Sequence, residues 1–440
     1  MFLKIKKAFY LLVLFVSLSS LAPCKIFAED GYRLWLRYDR LENDSRLNEY
    51  RKSIKAVYFP SNSPVLEAAR EELMKGLSGL LGVSVGYVDK VKSSGTLIVG
   101  TSGSSEFIAS LKLDNKLKDI GKEGYIIQNV DVKGKKCVVI FANTDVGVLY
   151  GVFNFLRLLQ TKKSLGDLNI SENPKIAHRL LNHWDNLDRT VERGYAGFSI
   201  WDWHKLPHYL DPVYVNYARA NASVGINGTV VTNVNSNALV MTAPYIEKVA
   251  ALADVFRPYG IRIYLTARFS APIEIGNLAT ADPCIPEVRA WWAGKASEIY
   301  ASIPDFGGFL VKANSEGQPG PQDYGRSHAD GANMLADALA PYGGIVMWRA
   351  FVYSHEIDED RAKQAYNELV PLDGKFRDNV LIQVKNGAID FQPREPFHPL
   401  FGAMPNTEMV PELQITPVSY THLRAHETVL DLVCRLLLEK

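Results

Sequence analysis

Glu316 closes the segment Lys312-Ala313-Asn314-Ser315-Glu316, which follows a short apolar run, Gly308-Phe309-Leu310-Val311, and precedes the breakers Gly317, Pro319, Gly320 and Pro321. Such a run reads as a strand buried on both faces, and the glycines and prolines end it, so the carboxylate belongs at a strand exit. Alone, it is better explained as a solvated loop residue. Other apolar runs end in the same way, at Trp184, Asn233, Arg268, Arg349 and Lys385, with Asp390 five residues beyond Lys385. If those strands are parallel, their exits share one edge and their polar groups converge. Two carboxylates, Glu316 and Asp390, with the cations Arg268, Lys312, Arg349 and Lys385 and the indole of Trp184, suit a sugar that itself carries a carboxylate. Cations form charge-assisted hydrogen bonds to a uronate. Breaking a glycosidic bond needs one carboxyl to protonate the leaving oxygen and another to activate water.

The elements that must position these residues alternate strand and helix after Pro174. Strands are expected at Leu180–Trp184, Gly228–Thr232, Ile261–Leu265, Gly308–Val311, Gly344–Trp348, Val380–Val384 and Met409–Thr416. Helices are expected between them at about 212–224, 244–256, 286–303, 329–339 and 358–369. That alternation calls for a parallel sheet covered by helices, and at this spacing for a (β/α)₈ barrel whose strand count stops one short. Before it, residues 31–173 read as a small α/β domain. Ser63 and Pro64 start a helix with apolar residues at Leu66, Leu73, Leu77 and Leu80. Strands follow near 96–99, 124–127 and 138–141, and a helix apolar nearly all round spans Val146–Leu159. No group in that domain suggests chemistry.

Composition narrows the partners. The 440 residues are 47% hydrophobic and 22% charged with a formal net charge of +1, and no basic run suggests nucleic acid. Lys4, Lys6 and Lys7 precede the apolar stretch Ala8–Leu21, and Ala28 is a cleavage point, so residues 1–28 read as an export signal, and an extracellular or periplasmic location is expected. No later run is long enough to span a membrane. The four cysteines, Cys24, Cys137, Cys284 and Cys434, have neither metal nor disulfide spacing. A zinc-protease helix, a P-loop and a dinucleotide fingerprint are all absent.

His183-Trp184-Asp185-Asn186, the stretch 218–233, the stretch 312–321, Met347-Trp348-Arg349-Ala350-Phe351 and the stretch 385–396 together resemble the glycoside hydrolase family 67 α-glucuronidases, in register over about residues 31–416. The resemblance implies an N-terminal α/β domain like that of β-hexosaminidases (29–173) and a catalytic (β/α)₈ barrel (174–416). It also implies an exo-acting, inverting enzyme that removes 4-O-methyl-glucuronic acid from the terminal xylose of glucuronoxylan oligosaccharides, with no metal or cofactor and no membrane partner. Carried over residue by residue, Glu316 matches the general acid and Asp390 one of two carboxylates that activate water. Lys312, Arg349 and Lys385 match groups around the uronic acid, and Trp184 with Val234 matches the pocket for its 4-O-methyl group.

The resemblance stops after Thr416. Where the family continues Gln-Glu-Tyr, this chain has Pro417-Val418-Ser419, so Val418 stands in place of the second base-side carboxylate. Residues 417–440 read as a foreign tail, and the eighth strand and the helical dimerisation domain are expected to be missing. An impaired enzyme of poor solubility is therefore expected. Two alternatives compete: a hexosaminidase-type glycosidase, which would want an Asp where Ser315 precedes the acid, and a non-catalytic fragment that binds uronate or xylan oligosaccharides.

Overall fold

The computed structural model describes residues 31–42, 45–194, 197–235, 237–352, 360–387 and 396–413. The chain divides into two compact units, Met1–Arg37 and Tyr38–Lys440. The described part of the first holds a single 3₁₀ turn, Leu34–Leu36. Two sheets and their covering helices make up the second.

Its first sheet has six strands: β1 Ala56–Tyr58, β2 Gly86–Tyr87, β3 Thr96–Gly100, β4 Tyr125–Val132, β5 Lys135–Ala142 and β6 Asn169–Glu172, in the order β2-β1-β3-β5-β4-β6. β4 runs antiparallel to both neighbours, and the other pairs are parallel. The helix Pro64–Leu81 starts where Ser63 Oγ accepts from Leu66 N at 3.2 Å, with proline preset at its first turn, and stops at Gly82 in the left-handed region. Ser63 also donates to Asp145 Oδ2 at 2.6 Å, which ties this helix to the start of the next, Asp145–Gln160. That second helix is buried on nearly every side, as its all-round apolar sequence requires. The two helices pack so closely that a Cβ on Gly76 would meet Leu156 at 2.5 Å.

Seven further strands form the second sheet: β7 Leu180–Asn182, β8 Gly228–Val230, β9 Arg262–Thr266, β10 Gly308–Val311, β11 Ile345–Arg349, β12 Val380–Lys385 and β13 Met409–Glu412. All pairs are parallel and the spatial order is the chain order, the topology of an incomplete (β/α)₈ barrel. The intervening helices include Pro212–Ser223, Ala243–Phe256, Pro286–Ser302, His328–Leu339 and Arg361–Leu369. β7, β8 and β13 are shorter than the expected runs, and residues 414–416 of the last lie outside the described residues, as do the export signal and the tail. Cys137 and Cys284 are free thiols.

Buried charge joins the two layers. Glu72, on the helix Pro64–Leu81, takes a two-pronged ion pair from Arg219 of the helix Pro212–Ser223, at 2.7 and 2.8 Å, and accepts from Tyr38 OH at 2.6 Å. Glu123, before β4, accepts from Arg179 Nη2 at 2.6 Å and Asn227 Nδ2 at 3.0 Å, at the starts of β7 and β8. In the more deeply buried Glu72–Arg219 pair each charge offsets the cost of burying the other.

Candidate active site

Side chains alternate along a strand, and partners in parallel register face the same way, so the cross-strand ladder sorts the barrel's inward residues. Val230 pairs with Tyr264, Leu310 with Met347, and Met347 with Leu381. Val230, Val234, Tyr264, Leu310 and Met347 form one buried cluster, with Trp184 packed against it. Two residues beyond Leu310 and Met347 come Lys312 and Arg349. Lys385 lies four beyond Leu381, in register with Glu412. Alternation therefore aims these three cations into the mouth of the barrel, above its apolar floor.

All three are buried. Phe351 sits among them: Lys385 Nζ is 3.4 Å from its ring centroid, Lys312 Nζ 5.4 Å and Arg349 Cζ 5.8 Å. The electron-rich ring face attracts cations that burial would otherwise disfavour. Arg349 Cζ also lies 5.9 Å from the Trp184 ring. Lys312 Nζ donates to Glu316 Oε2 at 2.6 Å and to Asn235 Oδ1 at 2.8 Å. Burial pulls the Lys312 ammonium below its ordinary range, Glu316 opposes that pull, and Arg349 adds to it. Burial likewise pulls the His398 imidazole down, with Lys385 adding.

The backbone around Glu316 is itself unusual. Asn314 has φ +49° and Glu316 φ +51°, the left-handed region that side chains disfavour, and such strain concentrates at functional sites. Asn314 Oδ1 accepts from Gln322 N, and Arg268 Nη1 donates to Gln318 Oε1 at 2.9 Å, so the segment 314–322 is held from two sides.

The expected constellation needs amending. Trp184, Val234, Lys312, Glu316, Arg349 and Lys385 surround one mouth. Arg268 belongs to the rim: it pairs with Glu274 of the short helix Ala271–Glu274 and with Gln318, bracing the loop that carries Glu316. Asn233 is buried and structural, donating to Asn186 Oδ1 at 3.0 Å and to the carbonyl of Glu192 at 3.3 Å. Asp390 and Val418 lie outside the described residues.

Sequence reasoning missed Glu412, Glu192, Arg193 and Phe351. Glu412 grips Arg349 through three hydrogen bonds of 2.8 to 3.0 Å. The structure sets it in register with Lys385. Glu192 is buried, and burial pushes its carboxyl up, with Arg193 and Lys312 opposing and Glu316 adding. Among the described residues no cluster of three His, Cys, Asp or Glu is arranged to hold a metal ion, and no helix is long and apolar enough to cross a membrane.

Comparison with known proteins gives this geometry a family. Residues 34–155 match the glycosyl hydrolase family 67 N-terminus and residues 158–438 the family 67 middle domain, a match that runs past Thr416. The chain is similar to "Probable alpha-glucuronidase A" of Aspergillus fumigatus, 40% identical over 88% of this chain and 46% of the relative. It is similar also to "Alpha-glucuronidase A" of Emericella nidulans, 40% identical over 91% of this chain and 48% of the relative. A solved structure of CpGH84D aligns with 75% of this chain and 51% of its own at 12% identity and a TM-score of 0.48. The chain thus spans about half the length of the curated relatives it matches. With both its N-terminal and middle parts matched, the chain belongs to glycosyl hydrolase family 67.

Proposed function

We propose that this protein is an exported α-glucuronidase that hydrolyses the α-1,2 bond between (4-O-methyl-)glucuronic acid and the terminal xylose of glucuronoxylan oligosaccharides, with inversion. The observation that carries the reading is the convergence of Lys312, Arg349 and Lys385 around Phe351, with Glu316 on Lys312. Three buried cations over an apolar floor form a receptor for an anion attached to a ring. The curated relatives named alpha-glucuronidase support the same substrate class.

Each residue then has a task. The uronate carboxylate pairs with the cations, Trp184 and Val234 border its 4-position, and Glu316 donates a proton to the leaving xylose oxygen. Asp390 activates water from the opposite side, since an inverting pair stands about 6.5–9.5 Å apart to admit one. Residues 29–173 serve as a supporting domain and 174–416 as the catalytic barrel.

The test is release of glucuronic acid from 4-O-methylglucuronosyl xylotriose, with the anomer followed by proton NMR. The expected result is initial release of the β-anomer, and a loss of about 10²–10⁴ in kcat for Glu316→Gln. Binding of the oligosaccharide without release over a long incubation would favour the non-catalytic reading instead.

A further inference from the structure

The loop after β7 brings two further charged residues to Glu316, and the role inferred for them rests on Glu316 being the acid. Glu192 is only 9% exposed. Its N–H donates to the carbonyl of Trp184 at 2.7 Å, and its carbonyl accepts from Asn186 Nδ2 at 2.7 Å and Asn233 Nδ2 at 3.3 Å. The loop is therefore pinned to the strand exits through backbone groups, with Glu192 in the left-handed region at φ +54°. Of its side chain, Oε2 is buried without a hydrogen-bond partner among the described residues. The other oxygen, Oε1, lies 3.4 Å from Arg193 Nε, while Nη2 of the same guanidinium lies 3.6 Å from Glu316 Oε2. One cation thus bridges two carboxyl groups.

We propose that Glu192 and Arg193 are positioning residues that set the charge state of Glu316. Arg193, with Lys312, favours the carboxylate, which has no proton to give. Glu192 counters both by like-charge repulsion and by drawing on the same guanidinium, so that Glu316 keeps a proton for the leaving group. Charged groups facing Glu316 include Lys312 at the exit of β10 and this pair from the loop after β7, and Arg349 on β11 acts on Lys312. Coupling between two titrating groups is mutual, so the push that Glu316 exerts on Glu192 is returned.

Glu192→Gln and Arg193→Met separate this role from a structural one, because they move one midpoint in opposite directions. The Glu316 side-chain carboxyl is titrated by ¹³C NMR, its signal assigned by the Glu316→Gln difference, in the full chain. Relative to wild type, Glu192→Gln lowers the Glu316 midpoint and Arg193→Met raises it, each by about one pH unit. Where the chain turns over an aldouronic acid, the alkaline limb of kcat/KM moves the same way. Midpoints that stay put, or that move together, overturn the proposal. Should Glu192→Gln fail to fold, Arg193→Met, at a side chain 63% exposed, still decides it. Opposite shifts in a chain that binds 4-O-methylglucuronosyl xylotriose without releasing glucuronic acid would retain the charge-setting role and favour the non-catalytic reading; turnover without shifts would do the reverse.

Discussion

Arg349 on β11 and Glu412 on β13 join across the intervening strand β12, with Nη2 at 2.8 and 2.9 Å from the two carboxylate oxygens and Nε at 3.0 Å from one of them. Glu412 occupies the Nε edge of the guanidinium. A ligand carboxylate would therefore meet the Nη1 edge, and the pair ties β11 to β13 across β12 at the mouth.

Truncating one member of a buried pair leaves the other charge uncompensated. Both side chains are under 8% exposed, so Glu412→Ala is expected to cost about 3–5 kcal/mol of stability. Glu412→Gln, which keeps hydrogen bonds to Arg349, is expected to cost less. Urea unfolding of the three proteins checks the order; equal midpoints would show that the pair contributes nothing.

Gly308 opens β10 at φ +133°, and a Cβ there would meet the backbone oxygen of Ile345 at 1.9 Å. Both the conformation and the space exclude a side chain, and backbone oxygen in a ladder has nowhere to retreat. Gly308→Ala should therefore part β10 from β11, at a cost of about 4 kcal/mol or more, in the long tail of single substitutions. Gly343→Ala, also at positive φ but with open space around it, is the matched control and should cost about 1 kcal/mol. Thermal unfolding of both proteins separates clash from strain.

The barrel strands could be read from the sequence because a strand buried on both faces is a continuous apolar run: Gly308–Val311 is reproduced as expected, and the ends of β9, β11 and β12 each fall within a residue of the expected ones. β2 and β6 escaped because their residues are largely exposed and carry no such pattern. At the site, Lys312, Arg349 and Lys385 were visible because two-residue alternation carries an inward-facing strand residue into the mouth. Glu192 was not, since a hydrogen bond from Asn233, 41 residues away in the chain, helps decide where its loop lies. Glu412 lay inside a longer expected strand, Met409–Thr416, and its partner Arg349 is 63 residues away in the chain.

Lys312 shows what the site costs the fold. Its side chain is 2% exposed, and burial lowers its affinity for a proton despite the bond to Glu316. The unfolded chain keeps that proton up to about 10.4. Between the lowered folded value and that one, the unfolded state binds more protons, so stability rises with pH; below both values the full penalty is present. At pH 7 the charge therefore opposes folding, and Lys312→Met, similar in length and apolar, should unfold at a higher urea concentration than wild type. Its advantage should shrink as the pH is raised through that window. Turnover should meanwhile fall by about 100-fold or more, because the uronate loses a partner and Glu316 loses its neighbour, the usual exchange of stability for a working site. A Lys312→Met protein less stable than wild type at pH 7 would mean that the pair with Glu316 outweighs the burial of the ammonium.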